Sequence, residues 1–294
     1  MSILTNSHFK GKILRNKDLA NYTSFKIGGK ADYFIIPNSW NDLLLILEEI
    51  KKFKFPYKIM GRGSNILISD EGVEGAVIKI DRSLGNIMLI DDTFIKVEAG
   101  CLISEFLRFL YENNLGGLEF LAGIPGTIGG AVFCNAGAFG EAIGDYIEEI
   151  VIIDENLKER IIKRNDMNFS YRNSGLKDKW IIKSIIIKVN FQKGEITYKK
   201  ILEILKERRQ KLPNLPSAGS IFKNPPNFSA GYLLDNLGMK GKRVGNVMVS
   251  YEHANIIVNL GGGKAKEVKE LISMMRDKVK DAYNISLELE IKIW

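Results

Sequence analysis

Between Glu119 and Gly140 the chain reads EFLAGIPGTIGGAVFCNAGAFG, with six glycines, four alanines and, from Phe120 onward, no charged residue. Glycine inside a helix or strand costs roughly 0.5–1 kcal/mol relative to alanine, and it is used where backbone takes positive φ or approaches something closely. A membrane-spanning helix needs about 20 mostly apolar residues, a length this stretch could supply. Pro125, Asn135 and the glycines make it a poor helix, however, and no similar segment accompanies it. Two readings remain: buried tight turns with no ligand, or backbone wrapped closely around one.

The rest of the chain narrows the choice. Its 294 residues allow two or three units rather than one. With 45% hydrophobic and 26% charged residues it has the balance of a soluble globular protein, not a disordered or membrane one. The N-terminal MSILTNSHFKGK has no apolar run after a basic one, so no secretory signal is expected. Cys101 and Cys134 stand far apart without a CxxC spacing, which fits free thiols in a reducing cytoplasm. His8 and His253 are too few for a usual zinc site, and no metal is expected. The net charge of +7 is spread along the chain without a basic block, so anionic small ligands account for it as well as nucleic acid does.

Periodicity gives the elements. Strands are expected at Tyr33–Pro37, Tyr57–Met60, Ile66–Ser69, Ala76–Ile80, Phe94–Glu98, Ile147–Ile153, Trp180–Phe191, Arg243–Ser250 and Asn255–Leu260. Helices are expected at Trp40–Lys52, Leu102–Asn113, Ile196–Lys211 and Lys264–Tyr283, the last with Val268, Leu271, Ile272, Met275, Val279 and Ala282 at helical steps. Arg208, Arg209 and Lys211 read as a solvated last turn. From Ser286 to Trp294 apolar and charged residues alternate, putting Glu288 and Glu290 on one strand face. Phe191–Glu195 reads as the boundary to a second unit.

Three loops carry candidate chemistry. Gly61-Arg62-Gly63-Ser64-Asn65, between two strands, can present successive N–H groups to a phosphate or make an ordinary bulge. It is not a Rossmann fingerprint, because Ile66 stands where the third glycine would be. Asn168–Ser174 carries one arginine, Arg172, a residue suited to bidentate recognition of carboxylate or phosphate. Ser217–Pro226, stiffened by prolines, presents Ser220, Lys223 and Asn224 together. Ser220 is not in GxSxG, and His253 is the only histidine that could serve it, so a hydrolase triad is disfavoured.

Taken in order, these pieces resemble the UDP-N-acetylenolpyruvoylglucosamine reductase family. The resemblance rests on Asn21–Gly29 (NYTSFKIGG), Gly61–Asn65 with Leu67, Gly123–Gly140, Ser170-Tyr171-Arg172, Ala218–Pro225 (AGSIFKNP), Gly231–Asp235 (GYLLD), His253-Ala254-Asn255 and Leu289-Glu290. It covers nearly the full length, and Phe191 follows Arg172 closely enough to suggest the shorter form without an extra tyrosine-bearing loop. The resemblance implies an α+β fold: a two-subdomain FAD-binding region of the PCMH type (1–74 and 75–192), then a smaller α+β substrate domain (193–294).

It also implies a site. Non-covalent FAD would be lined by Ile27, Gly28, Gly29, Gly61, Arg62, Gly63, Ser64 and Asn65, and by Ala122, Gly123, Pro125, Gly126, Thr127, Gly129, Gly130, Asn135, Ala136 and Gly137. NADPH would be the reductant, and Tyr171, Lys223, Asn224 and Asn255 would bind the enolpyruvyl sugar nucleotide. Arg172, Ser220 and Glu290 are the expected catalytic residues; Ile291-Lys292-Ile293 after Glu290 favours it over Glu288. Arg172 would hold the substrate carboxylate, protonated Glu290 would donate a further hydrogen bond, and Ser220 would protonate C2 after hydride reaches C3. A monomeric cytoplasmic enzyme of peptidoglycan precursor synthesis, with no nucleic-acid or membrane partner, is the expectation. Two rivals stand beside it: an oxygen-using flavoprotein oxidase, with Cys134 as a formal flavin attachment point, and a colourless nucleic-acid binder with strongly salt-dependent affinity.

Overall fold

The computed structural model describes residues 8–294; part of the N-terminal stretch read as lacking a secretory signal lies outside the described residues. Among the described residues no helix is long and apolar enough to cross a membrane. The described residues form two compact units, built from interleaved segments: 8–14, 33–62 and 75–206 in the first, 15–32, 63–74 and 207–294 in the second. They do not follow the chain-order boundaries at 74 and 192. Strands Lys12–Asp18, Lys30–Ile36 and Val73–Lys79 each carry the chain from one unit into the other.

The first unit holds an antiparallel five-stranded sheet, ordered Glu159–Lys163, Ile147–Ile153, Ile181–Lys188, Phe94–Glu98, Ile87–Leu89. Helices α1 (Trp40–Lys52), α2 (Ile103–Glu112) and the short α3 (Ile128–Phe133) contribute to its core. α1 begins where the Ser39 hydroxyl accepts the Asp42 N–H at 3.1 Å, and it buries Leu43, Ile46, Leu47 and Ile50 at helical spacing. α4 (Gly194–Lys211) starts in this unit, because Gln192 donates to Glu119 at 2.5 Å and to the Thr197 hydroxyl at 2.8 Å. Those bonds tie the expected boundary back into the first core.

The second unit pairs Ser217–Ser220, Ile256–Asn259, Val247–Val249 and Arg243–Val244 in that order, all antiparallel. α5 (Ala230–Asn236) and α6 (Ala265–Tyr283) complete its core together with Phe25, Ile27 and Leu67 from the early segments. Asp70 accepts the Ala265 and Lys266 N–H groups at 2.7 and 3.0 Å, so a carboxylate distant in sequence caps α6. Asn259 donates to the carbonyls of Phe25 and Lys26 at 3.0 and 3.2 Å.

Four expectations are corrected. Arg243–Ser250 is a hairpin turning at Gly245, whose φ of 52° a strand could not contain. Within Ser286–Trp294 only Lys292–Ile293 is strand, paired in parallel with Ile66–Leu67, and Glu288 is exposed whereas Glu290 is half-buried. Arg208 is half-buried rather than solvated, and its burial pulls the guanidinium below its usual range. Ala282 is exposed, because the apolar stripe of α6 ends at Val279.

Candidate active site

In the first unit the glycine-rich stretch has two layers. Ala122, Thr127, Gly129 and Asn135 are buried behind it, while Gly123, Pro125 and Gly130 are exposed and Gly126, Ala136 and Gly137 are half-exposed. α3, absent from the sequence reading, is capped by Thr127, whose hydroxyl accepts the Gly130 N–H at 3.3 Å. Gly61, at the end of strand Tyr57–Met60, lies so near this cap that a Cβ there would stand 2.5 Å from Thr127 Oγ1. The two glycine motifs singled out in the sequence therefore meet. An uncharged, backbone-rich face of this kind suits a ligand that approaches main-chain N–H groups closely.

The Asn135 amide is spent inside the protein. Its Nδ2 donates to the Ser170 carbonyl at 2.8 Å, and its Oδ1 accepts the Gly144 N–H at 3.0 Å. Asn135 therefore braces the loop that carries Arg172. That loop is a tight turn in which Ser170 and Asn173 exchange both backbone bonds, at 2.9 and 3.0 Å. Arg172 stands in it at φ 56°, an uncommon conformation for a side chain of its size. Its Nη1 donates to the Gly137 carbonyl at 3.0 Å, and its guanidinium lies 5.2 Å from the centre of the exposed Tyr171 ring. Two ties thus fix Arg172 against the glycine-rich stretch.

The second unit brings Ser220, Glu290 and Asn65 together through backbone. Ser220 ends strand Ser217–Ser220, whose pairing with Ile256–Asn259 shifts register between Ser217 and Ser220. Gly219 takes φ 75° at that irregularity, and a Cβ on it would meet nothing within 4 Å. Bulged strands of this type re-aim a side chain, and here there is room beside it. The Glu290 N–H donates to the carbonyl of Ile221, next to Ser220, at 2.8 Å. On the other side the Glu290 carbonyl accepts Asn65 Nδ2 at 3.1 Å, and Lys292 N–H donates to the Asn65 carbonyl at 2.9 Å. Glu288 instead reaches the surface, 3.5 Å from Lys223 Nζ.

Other expected ligand contacts have internal duties. The Asn255 side chain is buried: Phe222 N–H donates to its Oδ1 at 3.0 Å, and its Nδ2 donates to the Phe222 carbonyl at 2.8 Å. That makes Asn255 a strut for the Ser220 loop rather than an open ligand group. Asn224 Oδ1 accepts the Ala230 N–H at the start of α5. The Ile27 side chain is sealed in the second core. Gly28 and Gly29 pack against Ile68 and Asp70, where a Cβ would stand 2.8 and 2.3 Å from their atoms. Arg62 and Ser64 remain exposed and half-exposed beside the buried Gly63, which turns the chain at φ 66°.

His253 is no partner for a serine nucleophile. Its Nδ1 accepts the Asn255 N–H at 3.2 Å, and burial, then the nearby charge of Lys240, hold it below the usual imidazole range. Cys101 is buried, and desolvation pushes its thiol up to about 12. Arg172 belongs to the first unit, and Ser220 and Glu290 to the second.

A family model for the FAD binding domain matches residues 31–156, and one for the UDP-N-acetylenolpyruvoylglucosamine reductase C-terminal domain matches residues 208–294. UDP-N-acetylenolpyruvoylglucosamine reductase of Caldicellulosiruptor saccharolyticus is 40% identical over 288 residues, 96% of this chain and 91% of the relative. The Thermotoga maritima enzyme of the same name is 39% identical over 279 residues, 94% of this chain and 96% of its own. The crystal structure of UDP-N-acetylenolpyruvylglucosamine reductase from Thermus caldophilus superposes with a TM-score of 0.81 at 33% identity, covering 97% of this chain and 99% of that one. The FAD-binding match includes both glycine motifs, whose exposed glycines Gly123 and Gly130 and exposed Arg62 fit a cofactor with an anionic diphosphate. With its FAD-binding domain and its reductase C-terminal domain, the chain is an FAD-dependent oxidoreductase that belongs to the UDP-N-acetylenolpyruvoylglucosamine reductase family.

Proposed function

We propose that this enzyme reduces UDP-N-acetylglucosamine enolpyruvate to UDP-N-acetylmuramate, a peptidoglycan precursor, with NADPH as reductant. FAD, when bound, supplies the hydride relay from NADPH to C3 of the enolpyruvyl group. The chain's own residues handle the charge and the proton that follow. Negative charge developing at C2 and spreading into the adjacent carboxylate requires fixed donors in a dry site. Arg172 supplies a permanently charged guanidinium, and its turn is held by Asn135 and Gly137. Ser220 delivers the proton to C2, and Glu290 donates to the developing enolate in its protonated form.

The observation that carries this reading is the backbone clamp on Glu290, which fixes it between Ile221, beside Ser220, and Asn65 of the glycine turn. Tyr171, Lys223 and Asn224 are assigned to the sugar nucleotide. Segments 1–74 and 75–192 are assigned to FAD and 193–294 to substrate, as in the shorter form of the family. General acids of this kind contribute about 10²–10⁴-fold to rate. A Ser220→Ala protein should purify yellow and be bleached by NADPH at the normal rate. Its flavin colour should return on adding the enolpyruvyl sugar nucleotide at least about 10²-fold more slowly than in the parent. Normal turnover by this variant would remove Ser220 from the mechanism. A colourless purified chain would remove the flavin.

A further inference from the structure

We infer that Asn135 is a positioning residue of the reaction proposed above: it holds the turn that aims Arg172, and it is not a flavin ligand. The inference rests on that reading, since it concerns the arginine assigned to the substrate carboxylate. The Asn135 side chain is 5% exposed, and both of its polar atoms are engaged by backbone. Nδ2 donates to the Ser170 carbonyl at 2.8 Å, and Oδ1 accepts the Gly144 N–H at 3.0 Å. An amide buried in this way offers little to a ligand and acts as a two-ended clamp on the chain. Asn135 also takes φ 45°, a left-handed state that glycine enters most freely and asparagine tolerates. In a stretch with six glycines, a side chain is kept where a seventh would suit the backbone.

The clamp closes on itself. Asn135 holds Ser170, Ser170 and Asn173 close the turn around Arg172, and Arg172 Nη1 returns to the Gly137 carbonyl, two residues beyond Asn135. The short strip Asn135–Gly137 therefore grips the turn both at its first residue and at its arginine. A second tier supports the clamp. Arg164 Nη1 donates to the Gly144 and Ile147 carbonyls at 2.5 and 3.0 Å. Gly144 is buried so tightly that a Cβ would stand 2.7 Å from both Asn135 Oδ1 and Phe169 Cγ. Phe169 precedes Ser170, so the same contact seats the start of the turn.

A guanidinium is charged at any working pH, so its use to a substrate is limited by direction rather than by ionisation. Misplacement by about 1 Å can cost about 10²-fold in rate. Asn135→Asp removes the Nδ2 donor with the least other change. Volume is kept, aspartate tolerates the left-handed backbone, and one oxygen still accepts the Gly144 N–H. The other oxygen then faces the Ser170 carbonyl: ionised it repels that carbonyl, and protonated it donates to it in place of Nδ2. The charges on the elements packed around Asn135 are those of Arg164, Arg172, Glu141 and Asp145, the last two accepting the Tyr146 hydroxyl and the Ala142 N–H. The parent carries the same four, so the ratio of variant to parent isolates position 135.

Stopped-flow half-reactions of the flavin-loaded protein test the inference. Asn135→Asp should purify with full flavin and be bleached by NADPH within about twofold of the parent rate. Return of the flavin colour on adding the enolpyruvyl sugar nucleotide should be at least about tenfold slower than in the parent at about pH 8. That gap should close toward about pH 5, because burial raises the introduced carboxyl above the roughly 3.9 of free aspartic acid. On an Arg172→Ala background the same substitution should slow this step by less than about twofold, since it acts through the arginine. Loss of flavin, or a slowed NADPH step, makes Asn135 a flavin or folding residue and overturns the inference. So does equal slowing with Arg172 present and absent, or a deficit indifferent to pH. A parent flavin that the sugar nucleotide fails to reoxidise brings down the proposed reaction itself. A parent that reoxidises and a variant that matches it bring down this inference alone.

Discussion

Arg172 is held where a bulky side chain is uncomfortable. At φ 56° an ordinary residue gives up roughly 1–2 kcal/mol that glycine would not. The hydrogen bond to Gly137, worth about 1 kcal/mol net, and the contact with the Tyr171 ring offset that cost. Strain retained at one residue points to a requirement for its side chain. Arg172→Gly should therefore shift the denaturation midpoint little while turnover collapses, a split that paired urea melts and steady-state assays would reveal. A midpoint falling as far as activity does would make Arg172 a structural residue. The motif marked Arg172 in the sequence, but its backbone state was not legible there. Neither was the bracing by Asn135, whose partner Ser170 lies 35 positions away.

Among elements, long amphipathic helices were legible and short punctuated ones were not. α1 and α6 follow from apolar spacing because each has several turns and one core to face. α3 escaped because six residues with two glycines carry no periodicity, and the signal present, Thr127 as a cap, is weak alone. The hairpin at Gly245-Asn246 carries a turn signal between valines, yet the apolar residues on either side of it read as one strand. The turn from Ser250 to Asn255 sits between these scales. The Ser250 hydroxyl accepts the Glu252 and His253 N–H groups at 3.0 and 3.3 Å, and His253 Nδ1 holds the Asn255 strut.

This turn has a pH dependence of defined sign. His253 titrates lower in the folded chain than the roughly 6.5 of a free imidazole. Between those two values the unfolded chain binds more protons. Stability from this group is therefore complete above about pH 6.5, falls as pH drops through the window, and levels off below the folded value. His253→Asn keeps an acceptor for the Asn255 N–H and removes the titration. Thermal melts at pH 7.5 and 5.5 should show a larger acid loss in the parent than in the variant; equal losses would assign the acid sensitivity elsewhere.

At the scale of the molecule, the sequence showed an FAD-binding part and a C-terminal part but not their interleaving. Apolar residues such as Phe25, Ile27 and Leu67 announce burial without saying in which core, and that core lies in the second unit. Residues 208–294, although matched by a family model of their own, lack these three side chains and the Asp70 cap of α6. Burying a side chain of this kind contributes about 1.5–3 kcal/mol, and a domain's net stability is about 5–15 kcal/mol. The isolated fragment should show no cooperative melt, and adding peptides spanning 15–32 and 63–74 should be needed to recover one. A cooperative transition from 208–294 alone would show that the early segments are dispensable to that core.

The parallel pairing of Ile66–Leu67 with Lys292–Ile293, extended where Ser69 N–H donates to the Trp294 carbonyl, has a consequence in time as well as in space. During synthesis the segment bearing Gly63, Ser64 and Asn65 leaves the ribosome more than two hundred residues before the strand it pairs with. At about 5–20 residues per second it waits on the order of ten seconds or more. Over that interval Phe25, Ile27 and Leu67 are apolar surface without a core. Those side chains find their place in the core only after Lys292–Ile293 has been made.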